Sequence, residues 1–82
     1  MVKLDYDPKF IKSFSKIKHK GFQEQIIRVI EKIKQNPETG KPMRFARKGT
    51  REVYISPYRL SYIYSKDEDK IIILDFYHKD EQ

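Results

Sequence analysis

Hydrophobic positions change their period twice along the chain, and each change marks an element. Val2 to Tyr6 alternates apolar and polar side chains, which predicts a short strand. Asp7-Pro8 then offers a side-chain acceptor at an N-cap and a proline at the first helical position. Phe10, Ile11, Phe14 and Ile17 recur at helical spacing, with Lys9, Lys12 and Lys16 on the other side. His19-Lys20-Gly21 interrupts the pattern and reads as a tight turn. A second helix is predicted from about Phe22 to Gln35, with Phe22, Ile26, Val29, Ile30 and Ile33 as its apolar stripe. Asn36-Pro37 ends it, because proline biases the preceding residue away from helix.

Beyond Pro37 the period falls to two. Residues 37–42 form a turn-rich connection, Met43–Ala46 reads as a short strand, and residues 47–50 as another turn. Strands follow at Glu52–Ser56, Tyr58–Ser65 and Lys70–His78, with Pro57 allowing only a tight connection and residues 66–69 forming a charged hairpin loop. Neither helix is long enough to be stable alone, so both need an apolar surface, and the sheet supplies it. The predicted class is α+β: an N-terminal strand and an antiparallel helical hairpin on one face of a curved, mainly antiparallel four-stranded sheet. With 82 residues there is room for one domain, 1–82, and one modest core.

Alternation divides the sheet into two faces. Tyr58, Leu60, Tyr62 and Tyr64 share one side of the middle strand, and Ile72, Leu74 and Phe76 one side of the last; these are the expected partners of the helices. Val53 and Ile55 turn the same way. Glu52, Tyr54, Arg59, Ser61, Asp75, Tyr77 and Lys79 then turn outward. That outer face combines cations for phosphate with rings on which bases stack, which is what a nucleic-acid platform requires.

Composition sharpens this picture. The formal net charge is +6, from 18 Lys and Arg against 12 Asp and Glu, and it favours a polyanionic partner. Five cations, Lys41, Arg44, Arg47, Lys48 and Arg51, lead into the strands with no acid between them. The absence of cysteine excludes disulfides, thiolate metal sites and cysteine catalysis. Two histidines, His19 and His78, are too few for a His-based metal site without carboxylates, so no metal or small-molecule cofactor is expected. The start of the chain lacks the apolar core of a signal peptide and no apolar run has transmembrane length, so the expectation is a cytoplasmic protein without a membrane partner.

Several residues, taken with the order of elements, carry a family likeness. They are Glu38-Thr-Gly-Lys-Pro42, the Lys48-Gly49 turn, the strand Tyr58-Arg59-Leu-Ser-Tyr62 and the closing Tyr77-His78-Lys79. The chain resembles the RelE/ParE superfamily of toxins from type II toxin–antitoxin systems, over nearly its whole length. The resemblance implies a ribosome-dependent mRNA endoribonuclease that inhibits translation, with the ribosome, mRNA and a cognate acidic antitoxin as partners. The alternative it leaves open is a ParE-like gyrase inhibitor, or a catalytically inactive nucleic-acid binder of the same fold.

In such toxins the substrate's own 2′-hydroxyl is the nucleophile, and the protein positions the phosphate, stabilises its charge and moves two protons. By resemblance Arg59 falls on the phosphate-binding arginine, whose guanidinium fork suits the role. His78 falls on a histidine of the YoeB-like branch that resembles a general acid, although ideal alternation places it opposite to Tyr77 and Lys79. Lys79 stands where many RelE-like toxins carry arginine and would neutralise the transition state. Glu52 would serve as base if it reaches the outer face, or else pairs with Arg51 or Arg59. Arg44, Arg47, Lys48, Arg51, Tyr54 and Tyr77 are the expected RNA-contacting set. The lysine pair that RelE carries before the Tyr-Arg strand is replaced by Glu52 and Tyr54, the loop glutamate of YoeB-like toxins has no acidic counterpart at Met43–Lys48, and the closing tyrosine of RelE has none at Asp80–Gln82.

Overall fold

The computed structural model describes residues 2–43 and 49–78. Five strands and two helices follow in the order β1 (Lys3–Tyr6), α1 (Pro8–Ser15), α2 (Lys20–Gln35), β2 (Lys41–Pro42), β3 (Arg51–Ile55), β4 (Tyr58–Ser65) and β5 (Lys70–His78). The sheet order is β1-β5-β4-β3-β2, with β1 parallel to β5 and the other pairs antiparallel. The fifth strand is β2, two residues on the sheet's edge. Its brevity and its proline hide it from any alternation argument, and it falls at Lys41–Pro42 rather than at Met43, while Arg44–Ala46 lie outside the described residues.

Both helices begin as their local chemistry dictates. The Asp7 side chain accepts from the Lys9 N–H at 2.9 Å, with Pro8 in the first turn of α1. The second helix starts two residues earlier than periodicity predicts, because His19 caps it: Nδ1 accepts from the Phe22 N–H at 3.0 Å. Gly21 permits this ring position, since a Cβ there would stand 2.9 Å from His19 Cε1. What read as a helix-breaking turn is a helix start.

The core lies between the helices and one face of the sheet. It comprises Phe10, Ile26, Ile30 and Ile33 from the helices, and Ile55, Leu60, Tyr62, Ile71 and Ile73 from the strands, with Phe14, Ile17, Phe22, Val29, Val53, Tyr64 and Phe76 packed around it. Ile11 departs from the predicted stripe and is exposed; with Tyr6, Phe10, Phe14, Ile27 and Ile30 it lines an apolar groove of about 320 Å³ between the helices.

The last strand corrects the predicted faces. Ile71 and Ile73 enter the core, whereas Ile72 and Leu74 are only half-buried. The cause is a bulge. Leu60 pairs with Phe76 and Ser61 with Asp75, but Tyr62 pairs with Ile73, so Leu74 is an extra residue and the parity of β5 inverts there. Beyond the bulge Phe76 faces the helices as predicted, and before it the odd positions do.

A second lock fixes the connection from α2 to β2. Tyr62, wholly buried, donates its hydroxyl proton to the Pro37 carbonyl at 2.7 Å and accepts from the Gly40 N–H at 2.9 Å. Burial raises its pKa above the ordinary 10.0, against the Gly40 hydrogen bond and the Arg51 charge, which lower it. A Cβ on Gly40 would meet the phenol oxygen at 2.6 Å, so only glycine admits this approach. Arg51 completes the lock: Nη1 donates to the Gly40 carbonyl at 2.7 Å and to the Glu38 carbonyl at 3.1 Å, and Nη2 stands 3.8 Å from the Glu38 carboxylate.

Candidate nucleic-acid interface

The helix-free face of the sheet is built in two rows that the strand register sets side by side. Tyr54 pairs with Arg59 and Arg59 with Tyr77, giving a ring, a guanidinium and a ring across three strands. In the neighbouring row Lys41 pairs with Glu52, Glu52 with Ser61, and Ser61 with Asp75. Opposite and diagonal side chains on one face are close enough to interact. Arg59 Nη1 accordingly meets Glu52 Oε1 at 3.4 Å, and Arg59 Cζ stands 6.0 Å from the Tyr54 ring centre, the outer limit of a cation–π contact.

The pair is asymmetric. The Glu52 side chain is 4% exposed, while that of Arg59 is 37% exposed. A carboxylate so enclosed needs a charged partner, because burying it unpaired costs several kcal/mol or a proton. Arg59 is one such partner, and its own Nε is buried without any hydrogen-bond acceptor. The guanidinium holds Glu52 through Nη1, and the exposed part of the side chain, not the buried Nε, leaves donor capacity for a further oxyanion. A cavity of about 240 Å³, lined by Lys41, Met43, Glu52, Tyr54 and Arg59, surrounds it.

Arg59, Glu52, Tyr54 and Tyr77 are thus brought together. Tyr54 is exposed and its hydroxyl lies 3.4 Å from Ser56 Oγ. His78 is not in this group. It pairs with Tyr58, one residue beyond the Arg59–Tyr77 pair, and its ring stands edge-on to Tyr58 at 5.4 Å on the helical side. Alternation therefore holds to the end of β5. Arg51 faces the helical side too, committed to the turn carbonyls, with its side chain 24% exposed. Arg44, Arg47, Lys48 and Lys79 lie outside the described residues.

The comparisons with known proteins bear on this arrangement. A family model described as the ParE toxin of the type II toxin–antitoxin system parDE matches residues 4–82. The chain belongs to the ParE toxin family. It is a type II toxin of the RelE/ParE superfamily, as its Tyr58-Arg59 strand and order of elements led one to expect. No curated protein matches it by sequence.

Solved structures of this superfamily share the fold at low identity. The Escherichia coli RelBE toxin–antitoxin complex contains a chain similar over 95% of this one and 96% of itself, with TM-score 0.80 and 16% identity. A chain of the Mycobacterium tuberculosis toxin–antitoxin complex RelBE2 gives TM-score 0.83 at 19% identity, over 95% and 98% of the two chains. The YoeB/ParE toxin from Agrobacterium tumefaciens gives 0.83 at 15% identity, over 94% and 98%. For this ParE-family chain, the described residues contain no cluster of His, Asp and Glu that could hold a metal ion, and no helix long and apolar enough to cross a membrane.

Two features of the site escape sequence reasoning. The bulge at Leu74 lies inside Ile71-Ile-Ile-Leu-Asp75, where four successive apolar residues carry no alternation to read. The His19 cap is silent because histidine is not among the favoured capping residues; the signal that would reveal it is the glycine two positions on.

Proposed function

We propose that the chain is a ribosome-dependent mRNA endoribonuclease that arrests translation, with Arg59 as its phosphate-binding residue. The observation that carries this reading is the Arg59–Glu52 pair at 3.4 Å on the helix-free face, a partly exposed cation for a phosphate with a carboxylate directly behind it. Cleavage needs no resident group beyond side chains. The 2′-hydroxyl attacks the adjacent phosphorus as its proton passes to a base, and the 5′-oxygen leaves with a proton, giving a 2′,3′-cyclic phosphate and a 5′-hydroxyl. Arg59 holds the non-bridging oxygens and stabilises the charge that develops on them. A phosphate on Arg59 loosens its hold on Glu52, which then accepts the 2′-hydroxyl proton. The leaving side falls at the end of β5, where Tyr77 shares the face of Arg59 and Lys79 follows two residues on.

A second reading, a ParE-like inhibitor of gyrase or an inactive binder of this fold, is favoured by the placement of His78 on the helical side and by the deep burial of Glu52. Both readings include an antitoxin, as in the RelBE complexes that the chain resembles. An acidic partner suits a +6 chain, and the apolar groove beside Ile11 and Ile27 gives an amphipathic segment of that antitoxin a seat.

The test runs the purified toxin in parallel in a translating extract, with primer extension on the mRNA, and in a gyrase supercoiling assay. Codon-phased cuts with supercoiling intact are expected; intact mRNA with supercoiling blocked selects the second reading.

A further inference from the structure

At the closing end of β5 the sheet's two faces meet. Tyr58 and His78 lie one residue from Arg59 and Tyr77 along their strands, and so face the helices. With Lys16, Lys18, His19 and Phe22 they line a cleft of about 440 Å³ between the helical turn and the strand ends. That volume is within the ~300–1,000 Å³ of small-ligand pockets. Among the described residues no carboxylate lines the cleft and neither lysine pairs with one. Both histidines of the chain are there.

The cleft carries two chemistries at once. Lys16 and Lys18 supply ammonium charge for a phosphate. His19 adds a donor: because Nδ1 accepts from Phe22 N–H, the ring's proton sits on Nε2. Phe22 and Tyr58, with ring centres 4.8 Å apart, and the His78 ring supply aromatic surface for a base. Tyr77 borders this cleft and also shares the outer face with Arg59, so the two sites adjoin around the strand ends.

We infer that this cleft is a second nucleotide subsite, which takes the phosphate and base of a nucleotide flanking the one held at Arg59. The inference rests on the RNA-directed reading above. An acidic peptide would satisfy the lysines but would leave the rings unused, whereas each nucleotide brings an anion and a flat ring together.

The two histidines provide the test, because their imidazole NMR signals report on this cleft alone. The intact protein is titrated with a single-stranded hexauridylate and, separately, with a hexaglutamate peptide. The expected result is that RNA moves both histidine signals along one saturating curve. Lys16→Ala/Lys18→Ala should weaken that curve about tenfold and flatten the salt dependence of affinity by ~0.7 in log–log slope, the share of one phosphate on a single strand. Arg59→Lys should weaken overall binding while the histidine signals still move at saturation. RNA that shifts the Arg59 Nε signal but neither histidine overturns the subsite and leaves the RNA reading standing. RNA that shifts neither overturns both, and hexaglutamate that moves the histidines as tightly as RNA assigns the cleft to an acidic peptide instead.

Discussion

Arg51 and Arg59 stand on adjacent strands of one sheet and are used in opposite ways. Arg51 faces the helical side, where the Glu38 and Gly40 carbonyls and the Glu38 carboxylate take up its guanidinium and tie the turn to the sheet beside Tyr62. Arg59 faces the helix-free side, meets a single carboxylate among the described residues, and leaves about a third of its side chain, 37%, open to solvent. Strand parity thus separates an arginine committed to the fold from one open to solvent. A cation whose donors are filled by backbone builds the molecule, and one whose donors are left over is available to a ligand.

The contrast can be broken most severely at Arg59. Arg59→Lys keeps a charge beside Glu52 but removes the fork, and should lower the cleavage rate ~100-fold, in line with the loss of one donor to a transition-state oxyanion. Its melting temperature should stay close to wild type, since the buried carboxylate remains paired. The largest effect on the Arg51 side is expected from Gly40→Ala. The new Cβ collides with the Tyr62 phenol, which is fully buried and has nowhere to move, so about 3 kcal/mol of stability should be lost in urea unfolding, from overpacking together with broken hydrogen bonds.

Tyr62→Phe is a milder test of the same lock. It leaves the Pro37 carbonyl and the Gly40 N–H without the phenol and should cost ~1–3 kcal/mol. It should also alter the response to alkali. Because burial raises the Tyr62 pKa in the folded state, the unfolded chain loses this proton first; the corresponding stability is complete below pH 10.0 and declines as pH rises through the folded-state pKa. Wild type should therefore lose stability above pH 10.0 more steeply than Tyr62→Phe, a difference read from urea midpoints across that range. The smallest effect belongs to the capped end of α2. His19→Ala should cost about 1 kcal/mol by removing the cap, read as a small drop in the urea midpoint.

How much of this was legible depended on whether local sequence or tertiary contact decides a feature. Asp7-Pro8 opens α1 through contacts within three residues, and β4 shows clean alternation from Tyr58 to Tyr64, so the α+β class and the outward direction of Arg59 could be read directly. Val53 and Ile55 turned inward as their parity required. The partner of Glu52 was readable only as a choice between Arg51 and Arg59, and the register resolves it in favour of Arg59. The Tyr62–Gly40 lock joins residues 22 apart and leaves no local trace. The same holds for the bulge at Leu74, which exchanged Ile72 and Leu74 for Ile71 and Ile73 in the core. His78 shows the opposite case: simple alternation placed it away from Arg59, and its ring lies against Tyr58 on the helical side.

The most direct measurement is the single-turnover rate of cleavage of ribosome-bound mRNA by wild type, Arg51→Lys and Arg59→Lys at equal folded concentration. The account predicts that wild type cuts, that Arg59→Lys falls ~100-fold, and that Arg51→Lys stays within about threefold once its stability loss is allowed for. Equal losses at the two arginines, or an uncut message with wild type, would contradict it.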